Sequence, residues 1–152
     1  MTSGDPTALV VVDTNVLLAA TDRSRAAHAA ALAFLNEDQR RLALTPQIVR
    51  EYLAVSTRPL EANGFGLAGV DAVANVGQFL EDMVLLAEDS AATSHLMDLV
   101  GAHAVTGKQV HDANLVAVAL AHRASAIVTD NVRHFARFAD LITVEPLVVQ
   151  PE

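Results

Sequence analysis

Residues 8–15 read ALVVVDTN, and this stretch decides the fold. Ala8–Val12 is short, rich in β-branched residues and apolar at every position, with no polar residue alternating in. Such a run suits a strand buried on both faces, the habit of parallel sheets covered by helices. It stops at Asp13-Thr14-Asn15, residue types whose side-chain oxygens cap helices, so a helix is expected from about Val16. A buried strand running straight into a capped helix is the first half of a βαβ unit.

The same alternation continues outward from this point. Ser24 is placed to cap an Ala-rich helix over Arg25–Asn36, and Leu42–Leu44 makes a second strand. Thr45-Pro46 supplies an N-cap and a first helical residue for a helix reaching about Ser56. Arg58–Gly69, with Pro59, Asn63, Gly64 and Gly66, is one long loop. Val70–Leu80 and Ser90–His103 have helical spacing, with a third strand, Met83–Ala87, between them. Asp112–His122 is apolar nearly all round and is expected to be a buried helix. Ala126–Thr129 is a fourth strand ending in Asp130-Asn131; a short helix follows, and Leu141–Val144 closes the pattern before Pro146. The expectation is a single α/β domain over residues 1–152. It has three layers, α/β/α, around a central parallel sheet of about five short strands.

Composition narrows the chemistry. Hydrophobic residues make up 52% of the 152 and aromatic residues 4%, so the core must be built from Ala, Val and Leu. There are no cysteines, which excludes disulfides, thiolate metal sites and cysteine nucleophiles. Met1–Pro6 lacks the basic and apolar segments of a signal peptide, and no apolar run approaches the ~20 residues that cross a bilayer. A cytoplasmic protein with no membrane partner is expected. The net charge of −8 opposes nucleic-acid binding, which favours a basic face. Acids gathered around a bound cation are locally neutralised, however, and nine of the ten basic residues are Arg, the better phosphate partner.

Four acids stand out by position. Asp13 and Asp130 directly follow strands, where ligands collect in parallel sheets, and Asp112 opens the buried helix. Each also has an ordinary reading: Asp caps helices and forms Asx-turns. Glu51 lies mid-helix, with Ile48, Tyr52 and Val55 around it, and its ordinary reading is an exposed helical glutamate. Several carboxylates at one end of a sheet would repel one another, an arrangement that cations relieve. All-oxygen donors suit Mg²⁺ or Mn²⁺. His28, His95, His103, His111, His122 and His134 show no ligand spacing and are expected to be structural or solvent-facing. G-x-S-x-G, P-loop and G-x-G-x-x-G patterns are absent. Arg23, Arg25, Arg50, Arg58, Arg133 and Arg137 are candidate contacts to an RNA backbone.

Four segments, in this order, resemble the PIN domain: VVVDTNVLLAA at 10–20, TPQIVREYLAV at 45–55, TGKQVHDANLVAVAL at 106–120 and IVTDNVRHFARF at 127–138. The loop RPLEANGFGL and the ending TVEPL look like the VapC-type toxins of bacterial toxin–antitoxin pairs. The resemblance implies a Mg²⁺- or Mn²⁺-dependent endoribonuclease. Asp13, Glu51, Asp112 and Asp130 match the family's acidic residues and are expected to be catalytic and to hold the metal, with Asn15 and Thr129 as supporting site residues. The resemblance also implies a homodimer and a cognate antitoxin whose tail covers or enters the site; the net charge of −8 adds the expectation that this inhibitory segment is rich in Arg or Lys. One position departs: His134 precedes Phe135 where many members carry a further acid.

Two other readings fit the residues alone. One is a phosphatase or phosphotransferase with Asp13 as covalent nucleophile, weakened because Asn15 stands where a second Asp is wanted. The other is a non-catalytic module that binds RNA or protein.

Overall fold

A computed structural model of the chain describes residues 5–147. Its first strand, β1 (Leu9–Val12), runs where the apolar segment places it, and Val10, Val11 and Val12 are wholly buried. Consecutive residues of a strand face opposite sides, so burial of all three means that both faces of the sheet are covered. β2 (Arg41–Leu44), β3 (Val84–Leu85), β4 (Ala126–Thr129) and β5 (Thr143–Pro146) complete a parallel sheet in the order β3-β2-β1-β4-β5. The α/β reading and its five short strands hold.

Between the strands lie α1 (Thr14–Thr21), α2 (His28–Glu37), α3 (Pro46–Thr57), α4 (Gly69–Asp82), α5 (Ser90–Ala102) and α6 (Gln109–Ala121). α5 packs along α6, while α1 packs on α2 and α3, and α3 on α4. α6 buries Ala113 and the whole run Leu115–Ala119, as its all-round apolarity predicts. Tyr52 of α3 anchors the α4 side. Its buried ring meets Phe79 edge-on at 5.5 Å, and its hydroxyl bonds Thr21 Oγ1 at 2.9 Å and Asn75 Nδ2 at 3.0 Å.

Several boundaries differ from the sequence reading, each for a local reason. α1 starts at Thr14 because Asp13 itself is the cap. Ser24 does not cap α2: its hydroxyl donates to Asp22 Oδ1 at 2.7 Å in an Asx-turn, and the helix begins only at His28. β3 is two residues long rather than five, since its partner β2 ends at Leu44, where Thr45 turns the chain into α3. α6 opens at Gln109, which puts Asp112 inside the first turn rather than at the helix start. β5 starts two residues late because the N–H groups of Leu141 and Ile142 are spent on the Phe138 carbonyl (2.9 and 3.2 Å). It then runs through Pro146, which an outermost strand tolerates because it leaves one row of backbone groups outside the ladder.

An ion-paired cluster joins the residues just before β2 to β5. Arg40 donates to both oxygens of Asp38 (3.0 and 2.8 Å) and both oxygens of Glu145 (2.8 and 2.9 Å). Those two acids hold its guanidinium protonated more firmly than usual.

Candidate active site

The direction of strand addition reverses between β1 and β4. β2 and β3 are added on one side of β1, β4 and β5 on the other, and Val12 aligns with Val128 at the junction. In open parallel sheets this switch point leaves a crevice at the carboxyl ends of the strands. Asp13 follows β1 and Asp130 follows β4, so both stand at its mouth.

Asp13 combines a structural and a chemical position. Its N–H continues the ladder to the Val128 carbonyl at 3.0 Å, and Oδ1 accepts from the Thr14 N–H at 2.8 Å as the α1 cap. Oδ2 accepts from the hydroxyl of Thr129 at 2.7 Å. Thr129 is wholly buried, and its oxygen also accepts from Asn15 Nδ2 (3.2 Å) and the Asn131 N–H (3.0 Å). A hydroxyl has one proton and two lone pairs, so these three bonds exhaust it and aim its proton at Asp13. Asn15 in turn accepts from the Asp130 N–H at 3.0 Å through Oδ1, tying α1 to the end of β4. Asn15 and Thr129 therefore link the Asp13 carboxylate to the turn after β4.

Glu51 is brought in by α3, whose start is fixed by Thr45 as N-cap and Pro46 behind it. The expected alternative, an exposed helical glutamate, does not hold. Glu51 is partly buried; Oε1 accepts from the Thr14 hydroxyl at 2.7 Å and Oε2 from Gln47 Nε2 at 3.2 Å. Thr14 thus bonds two acids, giving its N–H to Asp13 and its hydroxyl to Glu51. Gln47 also donates to the His111 carbonyl at 2.9 Å and accepts from Asn114 Nδ2 at 2.8 Å. Sequence reading assigned no site role to Thr14, Gln47 or Asn114. A signal existed for Gln47, which is one helical turn before Glu51 and so on the same helix face.

Electrostatics tie three of the acids together. Burial raises the Asp13 carboxyl above its ordinary value; the Thr129 and Thr14 hydrogen bonds oppose this, and the charges of Glu51 and Asp112 add to it. Burial likewise raises Asp112, Glu51 adds to the rise, and His134, His111 and Arg137 oppose it. Asp112, Glu51 and Asp13 are therefore electrostatic neighbours. Asp130 stands apart. Its side chain is exposed, and it is not among the charges acting most on Asp13 or Asp112. His134, at the position where an acid was expected, lies close enough to influence Asp112, and its Nε2 meets Asn131 Nδ2 at 3.0 Å.

Two histidines have the structural roles expected of them. His28 Nδ1 meets the Ala19 carbonyl and His122 Nε2 the Ala87 carbonyl, each at 2.7 Å. Of the candidate RNA-contacting arginines, Arg25 pairs with Asp22 at 3.5 Å, and Arg137 lies against the His103 and Ala104 carbonyls.

Among the described residues, no three His, Asp or Glu side chains already form a ligand group for a metal. The donor chemistry nevertheless fits a hard divalent cation. Mg²⁺ binds through one or two carboxylates while keeping several waters. Asp13 and Asp112, both raised in part by neighbouring carboxylates, would gain from a positive charge between them. Among the described residues no helix is long and apolar enough to cross a membrane.

Comparison with known proteins agrees with this geometry. No curated protein matches the chain in sequence. Several solved structures match it in fold. A chain of VapBC2 from Rickettsia felis, crystallised with a promoter DNA fragment, superposes with TM-score 0.66 at 17% identity, covering 91% of this chain and 98% of that one. DNA-bound VapBC from Salmonella typhimurium gives 0.67 at 18%, covering 93% and 100%. VapC20 from Mycobacterium tuberculosis, a Sarcin-Ricin loop cleaving toxin, gives 0.66 at 15%, covering 84% and 93%. The PIN domain family model matches residues 10–141, which hold all four acids and the whole switch-point crevice. The chain belongs to the PIN-domain family.

Proposed function

We propose that this chain is a divalent-metal-dependent endoribonuclease and the toxin of a toxin–antitoxin pair. The observation that carries the reading is the mutual electrostatic influence of Asp13, Glu51 and Asp112 at the carboxyl end of a PIN-domain sheet, with two of the three carboxyls raised and Thr14 bonded to both Asp13 and Glu51. The VapC20 toxin of like fold, which cleaves the Sarcin-Ricin loop, supports the choice of RNA.

Asp13, Asp112 and Glu51 are the residues to hold Mg²⁺ or Mn²⁺, with Asp130 as an outer acid at the rim. When bound, such a cation would supply Lewis-acid stabilisation of the charge that develops at the scissile phosphate. The protein's own part is positioning. Thr129 and the Thr14 N–H hold the Asp13 carboxylate in one orientation, and the Thr14 hydroxyl does the same for Glu51. His111, His134 and Arg137 lie on the Asp112 side and offset its charge, so an RNA phosphate approaching there meets donors rather than acids alone. This local arrangement answers the objection raised by a net charge of −8.

The partner is a cognate antitoxin. Solved complexes of like fold are toxin–antitoxin assemblies, and an acidic crevice on an acidic protein selects a segment rich in Arg or Lys.

The test is cleavage of pooled cellular RNA by antitoxin-free protein, comparing the unsubstituted chain with Asp13→Asn, in Mg²⁺ and in EDTA. Discrete fragments only from the unsubstituted chain with metal are expected. Equal cleavage by a folded Asp13→Asn variant, or cleavage undiminished in EDTA, would overturn the assignment.

A further inference from the structure

We propose that Gln47 is a positioning residue: by bonding Glu51 and the backbone beside Asp112 together, it fixes the separation of those two carboxylates across the junction of α3 and α6. Gln47 is 6% exposed, and its amide is fully engaged. Nε2 donates to Glu51 Oε2 at 3.2 Å and to the His111 carbonyl at 2.9 Å, while Oε1 accepts from Asn114 Nδ2 at 2.8 Å.

The orientation of this amide follows from its partners. An ionised carboxylate and a backbone carbonyl can only accept, so the NH₂ group must face Glu51 and His111, leaving the oxygen to Asn114. His111 and Asn114 flank Asp112 closely in the first two turns of α6. Gln47 therefore bonds on both sides of Asp112 and, through its other proton, to Glu51. The remaining oxygen of Glu51 is held by Thr14 of α1. Glu51 is thus pinned to α1 by a hydroxyl and to α6 by the Gln47 amide, and loss of the amide releases only the second pin.

A side chain kept only to fill space at this depth would not need both amide groups aimed at the turns that carry two acids. Partners that orient metal ligands typically change affinity or activity about 10-fold to 100-fold when removed. The kinetic consequence rests on the ribonuclease reading; the geometric one does not.

The experiment is to solve crystal structures of the unsubstituted protein, Gln47→Leu and Asn114→Ala, and to measure RNA cleavage by each and by Glu51→Gln with and without Gln47→Leu. Asn114→Ala removes the donor that holds Oε1, leaving the Gln47 amide free to turn away from Glu51 and the His111 carbonyl, and serves if Gln47→Leu does not fold. The expected result is a changed distance between the Glu51 and Asp112 carboxylates in the variants. With it goes a kcat lowered about 10-fold or more, KM nearly unchanged, and a double variant no worse than Glu51→Gln alone. Carboxylates that superpose on those of the unsubstituted protein would overturn the proposal, as would losses that multiply in the double variant. If the unsubstituted protein cleaves no RNA, the ribonuclease reading fails and the crystal comparison still decides the role of Gln47.

Discussion

The hydroxyl of Thr129 donates to Oδ2 of Asp13 at 2.7 Å, joining the ends of β4 and β1 across 116 residues of sequence. The same oxygen accepts from Asn15 and Asn131, so one buried atom orders the Asp13 carboxylate, the first turn of α1 and the turn after β4. Removing it disturbs three contacts, one of them to Asp13, while every acid stays in the sequence.

Thr129→Val keeps the shape and deletes the hydroxyl. It should lower stability by about 1–3 kcal/mol, because Asn15 and Asn131 lose an acceptor and Asp13 a donor. RNA cleavage should fall with it, while Thr129→Ser, which keeps the hydroxyl, should retain most of both. Urea denaturation and cleavage assays on the pair check this. A Val variant as active as the Ser variant would show that the Asp13 orientation is set elsewhere.

The sheet was legible because its signals are local. Val10–Val12 carry burial on both faces in their own composition, and Thr45-Pro46 fixes the start of α3 within two residues. Ser24 misled because a neighbouring acid, Asp22, competes for its hydroxyl. β3 was overread because a strand's length depends on its partner, and no property of Met83–Ala87 announces that β2 stops at Leu44. At the site, acids placed after strands pointed to the crevice. The bridges through Thr14 and Gln47 join three helices at once and emerge only when α1, α3 and α6 are packed. The exposure of Asp130 is likewise a tertiary fact, and it separates that residue from acids it resembles in sequence context.

Arg40 bridges Asp38, whose side chain is 4% exposed, and Glu145 on the outermost strand β5. Arg40→Met keeps much of the side-chain bulk but removes the charge that two carboxylates face. Breaking a buried pair from one side costs about 3 kcal/mol or more, and the loss should show in urea midpoint and in earlier thermal melting. RNA cleavage at temperatures where the variant is folded should be unchanged. An unaltered midpoint would mean that solvent screens the cluster.

The raised carboxyl of Asp13 gives a pH dependence with a definite sign. A carboxyl whose folded value lies above its ordinary 3.8 favours the folded state when protonated. Its contribution is present below 3.8 and is lost as pH rises through the raised value. Ionised Asp13 is therefore a strain on the metal-free fold at neutral pH. Asp13→Asn, which keeps a good cap residue, should melt higher than the unsubstituted protein at pH 7, and the gap should close as pH falls toward 3.8. Asp112→Asn should behave alike, since burial raises that carboxyl too. A variant that melts lower at pH 7 would show that the ionised carboxylate stabilises the fold.

The same repulsion makes cation binding readable as stability. Mn²⁺ at 100 times its dissociation constant should stabilise the folded chain by about 2.7 kcal/mol, a rise in melting temperature of roughly 5–10 °C for a domain of this size. Asp13→Asn should lose that rise, because the charges of both Glu51 and Asp112 act on the Asp13 carboxyl. Asp130→Asn should keep the greater part of it, because the Asp130 carboxylate is exposed and acts little on either neighbour. Thermal melts of the three proteins over a Mn²⁺ series, each with an EDTA control, decide the matter. Equal loss in both variants would mean that Asp130 turns inward to share the cation with Asp13, making the outer acid a full ligand.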